Sequence, residues 1–164
     1  MQLPYRKPGK YSQIPTDNLM TKAKFDELQE KLKRLKSSQP QAARDVTRLA
    51  EMGDFSENVE YQLAKGRLRG INQNILKLEY DLEHAEIIEP KNSDTVQIGS
   101  TVKVESERGI AMYQILGSSE TNPNKGVISH TSPLGEGLLG HKVGDTVTIY
   151  LAGKEVKYTL ITLS

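Results

Sequence analysis

The sequence predicts an α+β chain, with an N-terminal antiparallel α-helical coiled-coil hairpin followed by a small antiparallel β-sheet domain with one short helix. Three observations carry this. Apolar residues recur three and four apart on both sides of residue 55; beyond about residue 95 the apolar period becomes two; and Pro90 stands near the changeover.

The first arm keeps Phe25, Leu28, Leu32, Leu35, Ala42, Val46 and Leu49 on the three-four rule, broken only by Gln39. The second continues it through Tyr61, Ala64, Leu68, Ile71, Ile75, Leu78, Leu82 and Ala85, the coiled-coil period. Folded back on each other, the arms pair Leu49 with Tyr61, Val46 with Ala64, Ala42 with Leu68, Leu35 with Ile75, Leu28 with Leu82 and Phe25 with Ala85. Each pair of numbers adds to 110, so one antiparallel register satisfies the seam and its midpoint falls on Phe55. Arms of roughly 28 residues at about 1.5 Å each make a rod of about 40 Å.

Taken in order, residues 1–20 form a basic, proline-containing extension (Pro4, Pro8, Pro15, Arg6, Lys7, Lys10) with no period that would bury a face, expected to be an extended arm without an assigned role. The hairpin spans 21–90. Thr21 is a plausible N-cap, and Pro40 predicts a kink or a restarted helix near Ser37 to Pro40, because proline lacks the amide donor and crowds the preceding turn. Gly53 ends the first arm. The second helix is expected from just after Asp54 to about Ile88, tolerating Gly66 and Gly70 at about 1 kcal/mol each relative to alanine. A linker covers 91–95, and the sheet domain 96–164. Its expected strands are Val96 to Ile98, Thr101 to Glu105, Ala111 to Leu116, Gly126 to Ser129, Thr146 to Tyr150 and Glu155 to Leu163, with a hairpin turn at Ala152-Gly153-Lys154 and a brief helix over Leu134 to Leu139.

Composition narrows the function classes. The 164 residues contain no cysteine, which excludes disulfides and thiolate metal sites. No apolar run is long enough to span a membrane and no secretion signal opens the chain, so a cytoplasmic protein with no membrane partner is expected. A net charge of +1 leaves any electrostatic role to local clusters.

Carboxylates crowd the reversal. Asp54 and Glu57, three apart, have an ordinary structural explanation as a variant capping box for the second helix. They also share a helix face and can jointly hold a hard divalent cation if a partner completes the ligand set. Arg44, Arg48, Lys65, Arg67 and Arg69, from opposite arms, fall at similar height below the tip: either a salt-bridged surface or a basic belt facing phosphates or an acidic wall. Gly135-x-Gly137-x-x-Gly140 matches the dinucleotide fingerprint by letter, but Pro133 precedes it where a buried strand should end and only 24 residues follow, so turns around a short helix are expected instead. His84, His130 and His141 lack metal spacing, and hydrogen-bonded or surface roles are expected for them.

The run Gly53-Asp54-Phe55-Ser56-Glu57-Asn58-Val59-Glu60-Tyr61, followed by Ala64-Lys65, closely resembles the tip signature of the bacterial Gre transcript-cleavage factors. Ile98-Gly99-Ser100-Thr101-Val102, Tyr113-Gln114-Ile115-Leu116-Gly117, Ile128-Ser129 with Ser132-Pro133-Leu134-Gly135, and Leu138-Leu139-Gly140 with Val143-Gly144-Asp145 resemble that family's C-terminal domain in order and spacing. The resemblance implies an FKBP-like C-terminal domain without isomerase activity that docks on RNA polymerase near its secondary channel, while the rod reaches the active centre.

It further implies that Asp54 and Glu57 are the catalytic acids, with Phe55, Ser56, Asn58 and Tyr61 supporting the tip and Arg44, Arg48, Lys65, Arg67 and Arg69 contacting RNA or the channel wall. The implied activity is stimulation of metal-dependent cleavage at the 3′ end of backtracked nascent RNA, rescuing arrested complexes. The factor is then not an enzyme: it supplies carboxylates to a Mg2+ shared with the polymerase active centre and holds none stably alone. Two other classes stand beside this one, a channel-occupying regulator that inhibits polymerase and a chaperone-like coiled-coil binding module. The self-complementary seam lets a free monomer close its own coiled coil.

Overall fold

The structure, a computed structural model, describes residues 17–53, 58–89, 91 and 93–164. Asp54, Phe55, Ser56, Glu57 and Pro90, and the extension through Thr16, lie outside the described residues. The chain divides into two units, residues 20–89 and residues 90–164, the latter joined by the segment ahead of Met20.

A two-residue strand, β1 (Leu19–Met20), leads into α1 (Lys22–Ala50) and α2 (Val59–Glu83), followed by β2 (Glu86–Ile87), which pairs with β1 in a two-stranded sheet. Thr21 caps α1 as expected, its hydroxyl accepting from the Lys24 amide at 3.2 Å. Such a cap is worth about 1 kcal/mol. Ala42, Leu49, Ile71, Ile75 and Leu78 are buried, all on the expected seam, and Leu32, Leu35 and Leu68 pack against its centre. Two links between the arms fix their direction: Lys36 pairs with Glu79 at 2.5 Å and Gln39 with Asn72 at 2.6 Å, so numbers rise on one arm as they fall on the other.

Two helix expectations need correction. The first helix neither stops nor restarts at Pro40 but runs unbroken from Lys22 to Ala50. The amide that proline lacks leaves the Lys36 carbonyl without its helical donor, and both residues are exposed, so water can satisfy that carbonyl. Apolar contacts on either side of the proline hold the helix on its partner. The second helix is shorter than expected at both ends, because Asn58 caps it and the chain turns into β2 after His84.

The sheet unit has five strands, β3 (Thr101–Ser106), β4 (Gly109–Leu116), β5 (Val127–Ser129), β6 (Thr146–Leu151) and β7 (Lys154–Leu163), in the order β5-β4-β3-β7-β6. Alternation sets its core: Val102 and Val104, Ile115, Val147 and Ile149, and Tyr158 and Leu160 turn to one side, where Leu134 and Leu138 of α3 (Pro133–Leu138) join them. Fully burying one such side chain contributes about 1.5–3 kcal/mol. A register shift between Lys103 and Val104 against β7 marks a bulge, which increases local twist.

Here too the structure departs from expectation. The sheet is not wholly antiparallel, since β5 runs parallel to β4. The connection between them is long enough to carry the chain back to the starting end, through short 3-10 turns at Ser118–Glu120 and Pro123–Lys125. Val96 to Ile98 form no strand. Val96 is instead a core plug whose amide donates to the His141 carbonyl and whose carbonyl accepts from the Gly140 amide, both at 2.9 Å.

Candidate functional site

α1 gives out at Ala50 and Glu51, and Gly53 then takes φ +138°, a conformation that side chains disfavour. At the other side of the reversal, the Asn58 side chain accepts from the Tyr61 amide at 3.2 Å and opens α2. The eight residues from Glu51 to Asn58 therefore make the whole connection between two antiparallel helices. Asp54 and Glu57 fall within it by sequence, as do Phe55 and Ser56, all outside the described residues. The cap corrects one reading. A capping box built on Asp54 and Glu57 needs the helix to begin at Asp54, but it begins four residues later on Asn58.

Of the residues expected to support the tip, Asn58 caps α2, and Tyr61 lies in the first turn of α2 with the Lys65 ammonium 5.9 Å from its ring centre. Met52, Val59 and Leu63 are exposed around the reversal.

The five basic residues below the tip are all exposed. Among the described residues none of them reaches a carboxylate; Arg44 donates instead to the Gln41 side-chain oxygen at 2.8 Å. Cations farther from the tip behave differently. Lys22 pairs with Asp26, Lys24 with Glu27, Lys36 with Glu79 and Lys77 with Asp81, at 2.5–3.1 Å. The salt-bridged surface is therefore real, but it stops short of the belt, and positive charge near the tip goes unneutralised within the described residues. No group of three or more His, Cys, Asp or Glu that could hold a metal occurs among the described residues.

The fingerprint-like glycines belong to a short helix and the turn after it, as expected: Gly135 and Gly137 lie in α3 and Gly140 follows it at φ +79°. Ser132 caps α3 by accepting from the Gly135 amide at 3.1 Å, and a β-carbon on Gly135 would lie 2.1 Å from the Ser129 carbonyl oxygen. His84 stacks on Tyr80 and bonds its carbonyl, and His141 lies 3.3 Å from the Asp145 carboxylate.

One cluster escapes sequence reading. The Asp17 carboxylate accepts from the Ser118 amide at 3.1 Å and from the Ser118 hydroxyl at 2.5 Å, and stands 2.9 Å from His130 Nε2. The Asp17 and His130 side chains are 16% and 19% exposed, so this is a part-buried contact. Burial pushes the Asp17 carboxyl up, but the Ser118 hydroxyl and amide and then His130 outweigh it and hold it below its ordinary value. Next to it, a β-carbon on Gly117 would sit 2.0 Å from the Leu19 carbonyl oxygen, so the strand entering the hairpin lies directly on that glycine. Residues about one hundred positions apart meet here, and no local pattern announces it.

Comparison with known proteins places the chain. The family described as "Transcription elongation factor, N-terminal" matches residues 18–87, and that described as "Transcription elongation factor, GreA/GreB, C-term" matches residues 90–164. Transcription elongation factor GreA of Macrococcus caseolyticus is 39% identical over 150 residues, covering 88% of this chain and 95% of the relative. GreA of Nitratiruptor sp. is 36% identical over 147 residues, covering 87% and 90%. Among solved structures, the GreA factor homolog 1 (Gfh1) of Thermus thermophilus is 26% identical, with coverage of 88% and 97% and a TM-score of 0.41. With both domain descriptions matched in order and relatives above one-third identity over nearly their full length, the chain belongs to the GreA/GreB family of transcription elongation factors.

Proposed function

We propose that this elongation factor acts by stimulating cleavage of backtracked RNA, with the tip of its hairpin entering the RNA polymerase secondary channel and the sheet domain docking outside. The observation that supports it most is the placement of Asp54 and Glu57 in a short reversal between two long helices whose second member is capped by Asn58. Acids placed by sequence in the reversal of a coiled coil can act on something outside the chain.

The donor set fits magnesium in kind and falls short in number. Carboxylate oxygens are the hard ligands that Mg2+ takes, but two residues cannot fill its octahedral shell, and no cluster among the described residues adds a third. Asp54 and Glu57 would therefore hold the ion only together with ligands from the polymerase. When bound, such an ion lowers the pKa of water and neutralises charge building on a phosphoryl group. The chain's own contributions are distinct: Asp54 and Glu57 supply negative oxygen ligands, the coiled coil carries them to a distance, and Arg44, Arg48, Lys65, Arg67 and Arg69 offer unneutralised positive charge to the RNA phosphates or the channel wall. The isolated protein then has no nuclease activity.

The test is Asp54→Asn and Glu57→Gln in backtracked elongation complexes with magnesium. Cleavage of the RNA 3′ end drops to the polymerase's own background while the variants still compete with wild type for polymerase. Cleavage at the wild-type rate by the double variant rules the proposal out.

A further inference from the structure

Gly117 is a glycine without a backbone reason. Its φ of −70° and ψ of 163° suit any residue, yet a β-carbon there would meet the Leu19 carbonyl oxygen at 2.0 Å, the Leu19 carbonyl carbon at 2.8 Å and Asp17 Oδ1 at 2.9 Å. The sheet unit thus keeps bare backbone where residues 17–19 lie. We propose that these residues are a strap, seated on Gly117 and Ser118 and locked by Asp17, that ties the front of the helical unit to the sheet unit and limits the freedom between them.

Four polar contacts hold the strap down. The Ser118 amide donates to both Asp17 oxygens, at 3.1 and 3.2 Å, the Ser118 hydroxyl donates to one of them at 2.5 Å, and His130 Nε2 stands 2.9 Å away. All of these partners belong to the sheet unit, as does Asp17 itself. Ser118 Oγ in turn lies 3.2 Å from Oγ of Ser129, a buried residue of β5, so the seat is continuous with the sheet.

The chain passes between the two units twice, after Leu19 and again after Glu89. At the front there is no slack. Leu19 lies on the seat, while the next residue, Met20, is buried and its carbonyl accepts from the Ile88 amide of the helical unit at 2.9 Å. Consecutive α-carbons are about 3.8 Å apart, so a seated strap joins the units there through a single peptide. At the back, seven residues (89–95) separate Ile88 from Val96, whose amide and carbonyl bond His141 and Gly140 of the sheet unit. A connection of that length spans up to about 25 Å. With the strap off its seat, the longer connection alone restrains the units.

The consequence for cleavage rests on the proposed engagement of polymerase by both units. Once one unit is bound, the effective concentration of the other falls roughly as the −3/2 power of the length of the connecting chain. Seven connecting residues in place of one lower it by about tenfold to twentyfold. A seated strap therefore lets the factor act at lower concentration without touching the chemistry at the tip.

The chain has no cysteine, so spin labels placed through Gln73→Cys and Glu107→Cys, exposed positions one in each unit, report the spread of distances in the free full-length protein. Wild type gives a narrow distribution. Asp17→Ala, which removes the lock, and Gly117→Ala, which fills the seat, each widen it by about 10 Å, the difference between one residue and the root-mean-square span of seven. A short Gly-Ser insertion between Leu19 and Met20 leaves lock and seat intact and also widens it, which separates loss of the tether from damage to the sheet unit. A distribution that the insertion widens but neither substitution does overturns the proposal, as does a wild type already as broad as the insertion variant. In backtracked complexes the same variants need about tenfold more factor for half-maximal cleavage and still reach the wild-type maximum. Widened distances with an unchanged half-maximal concentration leave the strap standing and count against engagement of polymerase by both units.

Discussion

Asp17 shows how one side chain can serve a domain from far away in sequence. Three donors converge on its carboxylate, and their bonds to a charged acceptor are stronger than neutral ones. Asp17→Asn is expected to cost about 1–3 kcal/mol at neutral pH, measured by urea unfolding of the sheet unit. The sign of the pH dependence follows from the depressed carboxyl. Its contribution is fully present above the ordinary aspartate value of 3.8 and is lost as pH falls through the lower folded-state value, so wild type and Asp17→Asn converge in strong acid. A difference that persists unchanged into acid would refute the electrostatic account. Nothing near Asp17 reveals this role, because Ser118 and His130 are its partners only after folding. Thr21 was legible because its partner is three residues away.

At the scale of elements, periodicity carried the reading and backbone chemistry set its limits. The seam from Leu32 to Leu78 was legible because every contact repeats the same two spacings. The start of α2 was not, since Asp54 and Asn58 are both competent caps and only three-dimensional closure chooses between them. The sequence around Val96 reads as strand because a short run of apolar residues looks alike whether it pairs in a sheet or plugs a core. The parallel placement of β5 was invisible because strand direction depends on the path of the connection, not on the strand's own residues. Gly66 and Gly70 supply an element-scale prediction. A β-carbon at either position meets nothing within 4 Å, and neither has a positive φ. Gly66→Ala and Gly70→Ala should each stabilise the hairpin by about 1 kcal/mol, seen as a higher melting temperature, without loss of RNA cleavage.

Over the whole molecule the near-neutral formal charge of +1 conceals segregation. Paired lysines sit away from the tip, and the five exposed cations nearer to it find no carboxylate among the described residues. Replacing Arg48, Lys65, Arg67 and Arg69 with glutamine should weaken engagement of backtracked complexes and flatten its dependence on salt, read from the factor concentration giving half-maximal cleavage at 50 and 200 mM salt, about the range where phosphate contacts dominate. An unchanged salt slope would assign those residues to plain solvation. Leu19 belongs to the sheet unit and Met20 to the helical one, so the seam between units passes between adjacent residues near the front of the chain. The sheet domain is consequently assembled from two distant stretches of the gene. A fragment cloned from residue 90 onward would lack Asp17, leaving Ser118 and His130 facing an empty socket, and would need the missing residues grafted back to report the native domain's stability.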